Sequence, residues 1–170
     1  MKILIIAAIS SFIYAQDVCC PVFDPTPWNN VEISFEGKVF VKDNVFSIAH
    51  IPFGFGKVMT RIDKMITAAD AKPETSTINL SDSESFWSTT VYVEASKAVP
   101  GEEMATFDGT YFSRVYEGPF KDAGKWVKDM NAWLESQGRE NKGLLFYYPI
   151  CPKCAKEIYG KQVTVLLAEL

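Results

Sequence analysis

Three sets of residues in this 170-residue chain have types and spacings that could do chemistry. The first is Tyr92 and Glu94, inside the alternating run Val91-Tyr92-Val93-Glu94-Ala95. A strand places residues two apart on one face, so Val91, Val93 and Ala95 turn toward an apolar neighbour while Tyr92 and Glu94 turn the other way. A carboxylate beside an apolar wall can act as a general base or as the counter-charge for a bound cation, and an unbound one is expected to be hydrated. The second set is the cysteines: Cys151-Pro152-Lys153-Cys154 is a C-x-x-C, and Cys19-Cys20 is a vicinal pair far away in sequence. An oxidising compartment favours disulfides among them. The alternative is zinc, held by the four thiolates or by Cys20, Cys151, Cys154 and His50, although a second C-x-x-C knuckle is missing. A thioredoxin-like role fits less well, because an active motif opens a helix whereas this one precedes a Tyr-Gly loop and a strand. The third is His50, the one histidine of the chain. It gives no Ser-His-Asp triad, and Gly54-Phe55-Gly56 lacks the lysine and spacing of a phosphate loop.

The elements that must position these residues follow an order that occurs twice. Val31–Phe35 and Val39–Val41 alternate as strands, with Glu36-Gly37-Lys38 reading as a hairpin turn. Lys42-Asp43-Asn44 separates them from a further strand, Val45–Ile51. Pro52 to Gly56 lead into a helix whose apolar stripe is Val58, Ile62, Met65, Ile66 and Ala69. Two strands follow, near Ser76–Leu80 and Thr89–Ala95, joined by the polar loop Ser81–Ser85. Pro100-Gly101 marks the boundary between halves. Met104–Tyr116 then reads as one or two strands around Asp108-Gly109. A second helix carries Phe120, Ala123, Trp126, Val127, Met130 and Leu134, and Gly138 ends it. Leu144–Ile150 and Gln162–Leu170 read as the closing strands.

Composition sets the limits. Hydrophobic residues at 48% and charged residues at 22% are globular values, and the net charge of -4 offers no basic field for nucleic acid. Lys2, the apolar run from Ile3 to Tyr14 and the small Ala15 have the order of a removable export signal over residues 1–15. Residues 16–30 form a Pro-rich arm, and residues 31–170 form one domain. The leader is too short for a comfortable membrane span, and no later segment is long and apolar enough for one, so no stable membrane insertion is expected after its removal. The expected location is secreted, or an endomembrane or periplasmic lumen.

Tyr116-Glu117-Gly118-Pro119-Phe120, followed by Gly124-Lys125-Trp126 and the helix ending Ala132-Trp133-Leu134, resembles the gyrase-inhibitor-like (GyrI-like) small-molecule-binding domain. Cys20–Trp28, Phe40–Asp43 and Cys151–Ala155 are similar to motifs of one branch of that superfamily. The resemblance implies an α+β fold of two pseudo-symmetric strand-helix-strand-strand halves. These form one antiparallel sheet, with helices on one face and a ligand groove on the other. It implies a groove lined by aromatics and a few carboxylates, for which Trp87, Tyr92, Glu94, Tyr111, Tyr116, Glu117 and Tyr147 are the candidates. The function it implies is binding, or sequestration, of a small apolar or cationic aromatic compound without a cofactor. Some relatives are hydrolases that open cyclopropane-bearing electrophiles, which makes Glu94 the candidate catalytic residue. A cysteine-stapled interaction domain without a ligand is the remaining alternative. Oligomeric state is not legible in the sequence.

Overall fold

The computed structural model describes residues 22–75, 77–82, 85–151, 154–155, 157 and 160–170. Residues 1–15, read as an export leader, Cys19 and Cys20, and Pro152 and Lys153 lie outside them.

Seven strands and two helices make up the described chain: β1 (Val31–Ile48), β2 (Ile51–Pro52), α1 (Phe55–Ala68), β3 (Asn79–Asp82), β4 (Ser88–Ala95), β5 (Met104–Glu117), α2 (Ala123–Ser136), β6 (Leu144–Tyr147) and β7 (Val163–Glu169). The strands are antiparallel, in the order β2-β1-β4-β3-β6-β7-β5, and β1 also pairs with β5. The α+β sheet therefore closes into a barrel, and the expected open groove becomes the inner face of a closed wall. The two halves, β1-α1-β3-β4 and β5-α2-β6-β7, meet at the pairs β1–β5 and β3–β6.

Closure rests on the two long strands. β1 pairs with β5 through Val31–Val41 and with β4 through Val39–Phe46. The segment read as a hairpin turn at Glu36-Gly37-Lys38 is instead a bulge inside β1. Between Phe35↔Gly109 and Lys38↔Phe107, β1 spends one residue more than β5. One extra residue bends a strand and raises its twist. Gly37 (φ +64°) supplies the left-handed conformation, and its N–H donates to Asp108 Oδ1 at 2.5 Å. The expected break at Lys42-Asp43-Asn44 is also absent, because these residues continue the ladder opposite Tyr92, Val91 and Thr90.

Both helices lie on the outside of the barrel. α1 buries Ile62 and Ile66 against Val41, Val45, Val91 and Val93, and α2 buries Trp126, Met130 and Leu134 against Phe112, Phe146 and Leu166. α2 ends as its glycine predicts: Gly138 (φ +65°) donates to Glu135 O at 2.9 Å, and Arg139 N donates to Leu134 O at 2.9 Å. The inside holds a third cluster, with Phe35, Phe40, Leu80, Tyr111, Tyr147 and Leu167 among its buried members.

Candidate functional site

The inner face of β4 carries the residues singled out by alternation. Val91, Val93 and Ala95 pack under α1, while Tyr92 belongs to the inner cluster. Tyr92 lies opposite Lys42 on β1 and Leu80 on β3, and Leu80 in turn lies opposite Tyr147 on β6. The ring of Tyr92 meets Phe107 edge-on at 5.0 Å, and Phe107 meets Phe40 edge-on at 5.1 Å. Tyr111 joins the same interior, tilted against Phe35 at 5.1 Å.

Glu94 sits one step along β4, opposite Phe40, and is the one buried carboxylate among the described residues. Its charge is not left to water, contrary to the expectation of a hydrated group. Oε1 accepts from Lys38 Nζ, and Oε2 accepts from the Ile78 N–H at 3.0 Å. Burial pushes the Tyr147 phenol up to about 12, and the negative charge of Glu94 adds to the shift. Tyr111 is also raised, by burial first and then by Glu169 and Asp108. Both phenols are therefore neutral donors at pH 7.

The segment that precedes β1 lies over this face. A single 3-10 turn, Thr26–Trp28, sets the Trp28 ring 4.9 Å from that of Tyr147, and Phe23 approaches the same ring at 6.5 Å. Its polar clasps are Ser113 Oγ to Trp28 O at 2.6 Å, Val115 N to Asn29 Oδ1 at 3.2 Å and Arg114 Nε to Asn30 Oδ1 at 2.7 Å. Trp28 and Lys38 were not among the residues expected from the sequence. Trp28 lay in the Pro-rich arm, and Lys38 was assigned to a turn.

Three expected residues are placed elsewhere. Tyr116 alternates to the outer face of β5, where it stacks on Trp126 of α2 at 5.6 Å and donates to Asp129 Oδ2 at 2.7 Å. Glu117 is at the solvent-exposed end of β5 and pairs with Lys161. Trp87 is 60% exposed on the approach to β4, edge-on to Phe86 at 4.7 Å. Two surface clefts of about 480 and 280 Å³, beside Arg139 and beside Asp82, also lie away from Glu94.

Of the cysteines, Cys151 is an exposed free thiol, and its Sγ lies 3.0 Å from that of buried Cys154. Among the described residues no group of three or more His, Cys, Asp or Glu side chains is placed to hold a metal. His50 sits at the turn between β1 and β2, edge-on to Phe86 at 5.8 Å.

A hydrolase encoded by lin2189 from Listeria innocua has a similar structure, with a TM-score of 0.60 and 14% identity over 84% of this chain and 92% of that one. An uncharacterized conserved protein from Listeria innocua is similar at a TM-score of 0.59 and 12% identity, over 81% of this chain and 90% of the other. At these identities the likeness is one of fold. A search of curated protein sequences finds no match. The family model described as bacterial hydrolase matches residues 13–170, and the chain belongs to that bacterial hydrolase family.

Proposed function

We propose that this chain is a hydrolase of a small, neutral, apolar electrophile held against the inner wall of the barrel. In this reading Glu94 orients the attacking water and accepts its proton as the new C–O bond forms and the strained-ring or ester bond at that carbon breaks. The protonated Glu94 then returns the proton to the departing atom. Tyr92, Tyr147 and Tyr111 supply ring faces, and Tyr147 and Tyr111 supply neutral hydroxyls. The observation that carries the reading is the placement of one buried carboxylate among those tyrosines, in a chain of a hydrolase family. A carboxylate has about four acceptor positions. Lys38 and Ile78 occupy one on each oxygen, so each retains a position for water. The pair with Lys38 also argues for a neutral substrate over a flat cation, since a cation would meet a charge already neutralised.

Binding without turnover is favoured by one observation, the cover that Trp28 and Phe23 place over Tyr147. The two readings separate on one variant. Glu94→Gln keeps the side-chain shape, so a hydrolase should lose turnover of a strained-ring or activated-ester electrophile while still binding it. Chromatography follows the product and fluorescence quenching follows binding. Unchanged turnover in the variant would remove Glu94 from the mechanism. Saturable binding without product in either protein would leave sequestration.

A further inference from the structure

Seven large apolar residues are exposed among those described, and six of them gather at one end of the molecule. These are Phe46, Ile48, Ile51, Phe53, Phe86 and Trp87, each between 42% and 60% exposed. A cluster of exposed large apolar side chains at one end of a molecule marks an interaction surface. Beyond Val41, β1 has left β5 behind and runs out beside β4 to the two-residue hairpin at Ala49-His50. Both turn residues have positive φ, +51° and +65°, as such a tight turn demands. The tip is fixed to the approach to β4: Ser47 N donates to Trp87 O at 2.8 Å, and His50 N to Phe86 O at 3.4 Å. Phe53 N returns to Phe46 O at 2.8 Å, and their rings lie 6.3 Å apart. The aromatic side chains are therefore held outward by a rigid backbone.

The hairpin itself is uncharged, the acids Asp82 and Glu84 precede Phe86 on the β4 side, and basic residues lie on the α1 side. From Val45 to Gly56 the sequence has no Asp, Glu, Lys or Arg. α1 then begins, and Lys57, Arg61 and Lys64 fall on one outer flank of it by their spacing. Arg61 pairs with Asp43, which turns this flank toward β1, the strand that bears the tip. Lys57 and Lys64 are exposed, and neither makes an ion pair among the described residues.

We propose that this tip docks the protein on an anionic lipid surface. Phe46, Phe53 and Trp87 enter the headgroup layer, Lys57 meets the phosphates about one helical turn above, and Lys64, about two turns further on, adds attraction through the surface potential. The contact is peripheral, since no helix among the described residues is long and apolar enough to cross a membrane. A second copy on the same patch fits less well. A two-fold contact sets each patch against itself, which would bring the same uncompensated lysines together. The proposal is independent of the hydrolase reading, because its measurement uses no substrate.

The test is co-sedimentation of the full chain with vesicles of phosphatidylcholine alone or with phosphatidylglycerol added. Sedimentation velocity without lipid runs beside it. Capture should be stronger on the anionic vesicles and should fall as salt is raised. Phe53→Ser with Trp87→Ser should weaken it at least tenfold, and Lys57→Glu with Lys64→Glu at least tenfold on anionic vesicles only. All four positions are exposed, and circular dichroism confirms that each variant is folded. The variants share their N-terminal residues with the parent, so the apolar run at Ile3–Tyr14 cannot account for a difference between them. Capture by neither vesicle, or capture that the Phe53/Trp87 variant retains in full, overturns the proposal. So does self-association that the same variant abolishes in a chain that ignores vesicles.

Discussion

Lys38→Met and Glu94→Gln each remove one charge from the same ion pair, and the structure makes their costs unequal. The Glu94 side chain is 8% exposed and that of Lys38 is 36% exposed. With Lys38 gone, the carboxylate stays in the barrel wall with the Ile78 N–H as its remaining hydrogen-bond donor. Breaking a buried pair in that way costs about 3–5 kcal/mol. With Glu94 changed to Gln, the Lys38 ammonium can turn into the water that already reaches a third of it. The new amide oxygen can still accept from Ile78, so the cost is that of one charge-assisted bond, about 1–2 kcal/mol. The lysine variant should therefore be the less stable by about 2 kcal/mol, and the double variant should lie near Glu94→Gln alone, since the two changes act on one interaction. Urea unfolding at pH 7, followed by circular dichroism, reads all three values. Equal costs for the two single variants, or costs that add in the double variant, would refute the account of Glu94 as a carboxylate kept in the wall by Lys38.

Raising the pH should leave stability unaffected by the buried tyrosines until about 10, the unfolded tyrosine value, and lower it from there toward about 12, where Tyr147 would ionise in the folded chain. Absorbance at 295 nm should then rise together with loss of the circular dichroism signal; ionisation of every tyrosine near 10 in a folded chain would contradict this. Trp28→Ala should cost about 2 kcal/mol, below the range for a fully buried tryptophan because the residue is only partly buried, and should increase nitration of Tyr147 as read by peptide mass spectrometry. Asp129 is held below its usual range by the hydroxyl of Tyr116 first and by Arg114 next. Its contribution is therefore present above about 4 and lost as pH falls further, and Asp129→Asn should flatten that part of an acid unfolding curve. If the leader is removed on export, N-terminal sequencing of the protein from its own cell should begin near Gln16, and an intact Met1 in a soluble cytoplasmic fraction would count against export.

Periodicity carried most of the fold. The apolar stripes of α1 and α2 and the alternation of β4 depend on neighbours in sequence, and the structure keeps each of them within a few residues. Closure of the sheet was hidden because it depends on β1 pairing with β5, a contact between residues 63 to 82 positions apart. Sidedness was legible in β4 for a similar reason: an apolar set on one face identifies the helix side, and Tyr92 and Glu94 follow. On β5 no apolar set marks the helix side: Tyr111 and Tyr116 are both candidates by residue type, yet Tyr111 faces the interior while Tyr116 alternates onto the α2 side with Phe112. An aromatic pattern alone does not say which face of a sheet the helix takes. Trp87 is the other kind of miss: its residue type suits a ligand wall, yet the end of β4 extends past the barrel.

The same bulge explains both the barrel and the state of its carboxylate. Ile33 and Phe35 face inward at odd positions of β1, whereas Lys38 and Phe40 do so at even ones. Even spacing through Glu36 and Gly37 would instead send Val39 and Val41 inward and put Lys38 outside. The extra residue reverses the alternation, so that Val41 and Val45 reach α1 and Lys38 reaches Glu94. A Glu-Gly-Lys triplet between two short alternating runs has the composition of a hairpin turn, and composition does not distinguish a turn that reverses a strand from a bulge that bends it. The long-range ladder makes that choice, through Gly109 opposite Phe35 and Asp108 accepting the Gly37 N–H. The charge partner of the candidate catalytic residue is thus set by a backbone irregularity on another strand, which is why alternation on β4 could indicate where Glu94 points but not what holds it.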